Sequence, residues 1–313
     1  MFNKENPNIK ELGGEIIDLR RLVDPDDKTW SATNPSIGVD NKGKMAVGIR
    51  SSNYVILPNG TYHVTVGGLI KSHVWFSELD KDYKITNLRK INVDTTDTKF
   101  VRGLEDPKIF WRDGSWWFTA VTLEKHETPF ARMVTCKLNK RCTEIESVEK
   151  HIGFDQKRPE KNWMLPYNSN PNFDFIYGPN SVIKDNVMTT WLTDNEEVSA
   201  LRGSTNLLDL QDSTYLAVTH KLFQKSDMVY QENSFGMIKA SLRNYIHYFT
   251  RYDEYGKILG ISKGFYLYKP GVEFAAGIIQ KKNDFIISFG REDVSSHLAI
   301  IKKSTVLDGL QGV

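Results

Sequence analysis

Apolar residues in this chain fall into short runs rich in β-branched and aromatic side chains, separated by clusters of Asp, Asn, Gly and Lys. That pattern predicts strands joined by tight turns. No stretch sustains the apolar stripe of a long amphipathic helix. A hairpin unit recurs. The first runs from Asn34–Pro35 through Val39, turns at Asp40–Gly43 and returns over Lys44–Arg50. The second opens at Asp106–Pro107, turns at Asp113–Gly114 and returns over Trp116–Val121. A less regular third joins Lys161–Tyr167 to Phe173–Tyr177. The fourth joins Gly203–Leu208 to Tyr215–His220, and the fifth joins Phe274–Ile279 to Phe285–Gly290. Further strand-like runs lie between them, such as Val74–Leu79, Met133–Cys136 and Tyr245–Phe249.

Each unit opens on small or polar residues, and repetition of this kind predicts the inner part of a propeller blade. The expected fold is all-β, a five-bladed β-propeller over residues 31–313, with a β-sandwich as the competing architecture. Residues 1–30 read as a polar lead-in packed on the propeller, carrying one short strand at Glu15–Leu19. In a propeller the openings of the inner strands converge on the axis, so residues distant in sequence would ring one pocket.

Composition narrows the picture. The chain has 313 residues, 40% hydrophobic and 12% aromatic, enough for a large core. A net charge of +2 makes no demand for nucleic acid or an anionic membrane. No apolar run approaches a membrane span, and the polar Met1–Glu5 is unlike a signal peptide, so a cytoplasmic location is expected. Cys136 and Cys142 lack zinc spacing and read as free thiols on one hairpin. No metal or cofactor is expected, and no nucleotide-binding glycine loop or nucleophile elbow is present.

The stretch Gly103-Leu104-Glu105-Asp106-Pro107-Lys108 carries the chemistry. Two adjacent carboxylates stand between a glycine and a proline, and the proline is expected to push Asp106 into an extended conformation that mounts it rigidly for proton transfer. The other residues expected at the converging openings are Asn34, Arg50, Arg102, Lys161, Asn162, Trp163, Arg202, His220, Glu273, Arg291 and Asp293. A carboxylate among cations suits a sugar attached to phosphate: arginine forks match phosphate oxygens and carboxylates match sugar hydroxyls. Trp163 or Tyr167 would stack on a sugar face, whereas Trp116 and Trp117 read as packing. Several of these residues also have a plain structural reading: Arg50 and Arg202 as solvated strand ends or blade-to-blade salt bridges, His220 as a hydrogen-bonded structural histidine, Asp293 as a turn residue.

Taken in order, Asn34-Pro35, Arg50, Gly103–Lys108, Lys161-Asn162-Trp163, Arg202–Thr205, His220, Glu273–Gly277 and Ser288–Asp293 resemble the five-bladed propeller β-mannoside phosphorylases and their glycosyltransferase relatives. The resemblance implies that Asp106 is the acid/base of an inverting reaction, that Arg50, Lys161 and His220 bind phosphate, and that Asp293 binds sugar. Thr219 stands where the phosphorylases carry tyrosine and Lys108 where they carry arginine. Phe274–Gly277 and Ile287–Gly290 look more like the transferases. These departures favour a nucleotide-sugar donor, or a sugar phosphate, and a carbohydrate or other hydroxyl acceptor, over a phosphorylase or hydrolase of β-mannosides. Asp106, with Glu105 beside it, would take the acceptor proton. Two other readings remain: a phage-type enzyme that glycosylates modified bases in DNA, for which the segment Lys137–Lys161 offers a mixed-charge basic face, and a non-catalytic sugar-binding propeller.

Overall fold

The computed structural model describes residues 6–19, 30–56, 62–65, 68–93, 102–122, 131–151, 160–166, 171–185, 187–191, 193, 195–233 and 236–313, with backbone alone for residues 56, 62 and 197 and for 224–243 within the long strands. Five sheets form the blades of a five-bladed propeller, and a separate two-stranded ribbon pairs Tyr54–Ile56 with Tyr62–Val64. Blade one is Ser31–Val39, Met45–Ser52, Ser72–Leu79 and Ile85–Ile91, in that order from the axis outward. Blade two is Leu104–Arg112, Ser115–Thr122, Arg132–Leu138 and Ile145–Lys150. Blade three holds Phe175–Gly178, Ser181–Lys184 and Val187–Thr190, with Met164 bridging Ile176 on the inner side. In blade four, Arg202–Gly203 and Leu208–Asp209 both pair with Tyr215–Asn233, followed outward by Gly236–Tyr252, Ile258–Ile261 and Gln311–Gly312. Blade five is Glu273–Lys281, Asp284–Arg291 and Ser295–Lys302, and its outer strand is Glu15–Leu19 from the other end of the chain. Part of the polar lead-in thus completes the last blade, through the short strand expected at Glu15–Leu19.

Polar side chains set the turns. Asp40 Oδ1 accepts the amides of Lys42 and Lys44, each at 2.8 Å. Asp80 and Asp253 do the same for Asp82 with Lys84 and for Tyr255 with Lys257. In each of these turns the residue before the closing lysine is left-handed: Gly43 at φ 80°, Tyr83 at 62° and Gly256 at 78°. An aspartate that hydrogen-bonds the backbone two residues on gives this local turn independently of the sheet around it.

The core lies between blades. Trp116 and Trp117, successive on one strand, point to opposite faces. Trp116 packs with Ala46, Val74 and Phe76 of blade one, while Trp117 packs with Leu165 of the blade-three segment. Both are buried packing residues, as the alternation predicts. Ile37, Val47 and Trp75 meet Ile279, Ile286 and Leu298 across the first and last blades. Hydroxyls also bridge blades near the axis: Ile37 N donates to Ser288 Oγ at 2.8 Å, and Ile109 N donates to Ser36 Oγ at 2.9 Å. Cys136 and Cys142 are free and buried.

Candidate active site

Inner strands one and two each break register at an acid- or amide-bearing residue followed by proline. The shift lies between Thr33 and Ser36 in one and between Glu105 and Lys108 in the other. Asn34 has φ 46° and Asp106 has φ 50°. Asp106 is thus left-handed within a β-bulge, contrary to the extended conformation that Pro107 predicts. Asn and Asp tolerate this region better than other side chains, and a bulge re-aims one residue out of the ladder. The bulges turn both side chains toward the axis. Gly103 precedes the second bulge at φ 79°, where a Cβ would fall on the carbonyl of Ser72.

The acidic half of the site is tightly wired. Asn34 Nδ2 donates to Asp106 Oδ1 at 2.8 Å and to Asp293 Oδ1 at 3.4 Å. Thr33 Oγ1 donates to Asn34 Oδ1 at 3.0 Å, which fixes the amide's orientation. Arg50 lies wholly inside: Nη1 donates to Asp106 Oδ1 at 3.1 Å, Nε to Ser72 Oγ at 2.9 Å and Nη2 to Tyr54 Oη at 2.8 Å. Glu105 Oε1 is 3.3 Å from Nη2. Burial opposes the charge on Arg50, but Glu105, Tyr54, Asp106 and Asp293 outweigh it and hold the guanidinium well above its usual pKa. Asp106 Oδ1 is therefore fully engaged, while Oδ2 takes no hydrogen bond from the described residues. Burial pushes the Asp293 carboxyl up to about 6 despite the nearby Arg50.

The basic half lies across blades three and four. Arg202 is exposed and stands opposite His220 in the sheet register. Lys161 is exposed. Burial, followed by His247 and the charges of Arg202, Lys108 and Lys161, drives the pKa of His220 well below normal. His220 is thus a neutral imidazole rather than a cation, with Nδ1 2.6 Å from Ser204 Oγ. Lys108, the residue two beyond Asp106, is buried, donates to the carbonyl of Trp163 at 3.0 Å and is pushed down to about 7 by desolvation.

Several expected residues do other work. Trp163 is 2% exposed, packed among Val121, Met133 and Ile183, with Nε1 donating to Glu160 Oε2 at 3.3 Å, so it offers no face to a sugar. Tyr167 lies outside the described residues. Glu273 is buried, and its carboxylate accepts the backbone amides of Leu267, Tyr268 and Lys269. It holds a loop. Arg291 pairs with Glu292 at 3.0 Å and lies over the Tyr268 ring. Arg102 is exposed, and its carbonyl takes the amide of Ser72. Asn162 is left-handed at φ 66°, with its carbonyl where a Cβ on Gly203 would fall. Conversely, Tyr54, Ser72 and Ser204 build the site without having been singled out. Ser204 sits in a recurring hairpin opening, but nothing in the sequence links Ser72 to Arg50. In the basic segment, Lys137 pairs with Glu146 at 2.7 Å, as expected of a solvated mixed-charge face.

No family model matches the chain, and no curated protein sequence matches it. Solved structures do. A β-1,2-mannobiose phosphorylase from Listeria innocua, seen with β-1,2-mannobiose, is 12% identical with a TM-score of 0.60, covering 94% of this chain and 99% of its own. A mannose phosphorylase from Leishmania mexicana, in complex with phosphate, is 13% identical with a TM-score of 0.53, covering 96% and 93%. A GDP-Man-dependent mannosyltransferase from the same organism is 13% identical with a TM-score of 0.52, covering 96% and 91%. At these identities the likeness is one of fold, and it extends over nearly the whole chain: this protein has the five-bladed propeller architecture of those phosphorylases and of that transferase.

Proposed function

We propose that the chain is an enzyme of inverting sugar transfer that moves a sugar from a phosphate-linked or nucleotide-linked donor to a hydroxyl acceptor. The observation that carries this reading is the seat of Asp106. Its Oδ1 is clamped by Asn34 and Arg50 from the neighbouring blade, and its Oδ2 takes no hydrogen bond from the described residues. A base held in that way removes a proton from an acceptor hydroxyl, directly or through a sugar hydroxyl, with little reorganisation. Glu105, Asn34 and Asp293 orient the sugar. Lys161 and Arg202, with His220 behind them, meet the negative charge that grows on the departing phosphate. The donor assignment draws on Thr219 and Lys108, which stand where the resembling phosphorylases carry other residues, and on the fold likeness to a GDP-Man-dependent mannosyltransferase.

The phosphorylase direction is the second reading, favoured by the fold likeness to a mannose phosphorylase that binds phosphate. One experiment tests both. The protein is incubated with GDP-mannose, mannose 1-phosphate or β-1,2-mannobiose, with and without phosphate and acceptor, and products are followed by proton NMR. The proposal expects product with inverted anomeric configuration from a phosphate-linked donor without added phosphate. Release of sugar phosphate from the mannobiose only when phosphate is present would select the second reading. Retained configuration, or binding without product, would overturn both.

A further inference from the structure

His220 is held by its surroundings on every side that is described. Tyr245 stacks on the ring at 4.8 Å with a 12° tilt, and Phe274 meets it edge-on at 5.9 Å. The remaining freedom is the position of the ring proton. A neutral imidazole carries one, and the nitrogen that holds it donates while the other accepts.

Donor accounting at Ser204 decides between the two forms. Ser204 is fully buried, and among the described residues His220 Nδ1 is the hydrogen-bond partner of its Oγ, at 2.6 Å. If Nδ1 held the proton and donated to Oγ, the hydroxyl's own proton would be stranded in the interior, at about 1–3 kcal/mol. If the hydroxyl donates to Nδ1, the sealed hydroxyl proton is satisfied and the ring proton lies on Nε2, the nitrogen to which no described residue is hydrogen-bonded and which is therefore left for a ligand. We propose that Ser204 is a positioning residue that fixes the proton of His220 on Nε2, so that the ring meets the leaving anion as a hydrogen-bond donor. The identity of that anion rests on the sugar-transfer reading above; the proton's position does not. An acceptor at Nε2 would repel an anion, whereas a donor holds it without adding a positive charge beside Arg202 and Lys161.

The test is ¹⁵N NMR on histidine-labelled full-length protein, with the His220 signals assigned by their loss in His220→Gln. The wild type is expected to show the proton on Nε2. Ser204→Ala should mix the tautomers and weaken pyrophosphate binding by about tenfold, the worth of one hydrogen bond. Ser204→Thr should restore both, which a merely structural role would not require. A wild-type proton on Nδ1, or a Ser204→Ala protein with unchanged tautomer and unchanged pyrophosphate affinity, would overturn the assignment. A wild type that holds the Nε2 proton yet binds neither pyrophosphate nor phosphate would support the role of Ser204 and count against the leaving-anion reading.

Discussion

At the scale of single residues, the site depends on backbone conformations that few side chains tolerate. Gly103 combines a left-handed φ of 79° with contact against the Ser72 carbonyl. Gly103→Ala should therefore cost about 2–4 kcal/mol in urea unfolding and disturb the Asp106 bulge; an unchanged midpoint would show that the backbone relaxes there freely. Asp293 supplies a pH signature. With its carboxyl near 6, sugar affinity should change across that pH, and Asp293→Asn should remove the titration while leaving the other limbs of the profile. Acid stability has a separate source. His220 and His247 are buried with pKa values below the free imidazole, His247 at about 3. Their contribution is complete above about pH 6.5 and is lost as pH falls toward the folded values, at about 1.4 kcal/mol per pH unit for each. His247→Leu should flatten that slope in thermal melts between pH 6 and 4.

At the scale of elements, the turn at Asp40–Gly43 was legible because its cause is local: Asp40 binds the backbone within its own turn, as Asp80 and Asp253 do in turns that the sequence pattern did not single out. Asn34 and Asp106 were legible as candidates because each stands before proline where a hairpin opens, but their left-handed bulges were not. The usual effect of proline on its neighbour pointed the other way, and only the register of the adjoining strand reveals the extra residue. The hairpin from Tyr215 to Tyr252, with strands of 19 and 17 residues, exceeds what its apolar runs suggest, since a two-stranded ribbon needs no core-facing alternation. The loop-capping place of Glu273 was not legible, because a buried acid capping a loop and an acid facing a ligand look alike in sequence. Glu273→Ala leaves the amides of Leu267, Tyr268 and Lys269 without an acceptor and should cost about 2–4 kcal/mol. Burial raises its carboxyl to about 7, so the stability it gives is full below its ordinary value of 4.5 and is lost as pH rises from there through 7, and Glu273→Gln should weaken this dependence between about pH 4.5 and 7.

At the scale of the whole molecule, the ring is closed by strand Glu15–Leu19 on Ser295–Lys302. Removing residues 1–19 exposes the edge of blade five and should lower the melting temperature sharply; an unchanged melt would mean that closure does not depend on this strand. The ring matters to function because no single blade holds the site. Asn34 and Arg50 come from blade one, Asp106 from blade two, His220 from blade four and Asp293 from the segment joining two strands of blade five. The central claim is that this convergence makes Asp106 the proton-transferring group, and Asp106→Asn tests it most directly, because the amide keeps the size of the side chain and loses its basicity. Turnover of a sugar donor by the two proteins should differ by at least about a thousandfold, with melting temperature and donor binding retained in the variant. Equal turnover by a folded Asp106→Asn protein would contradict the account.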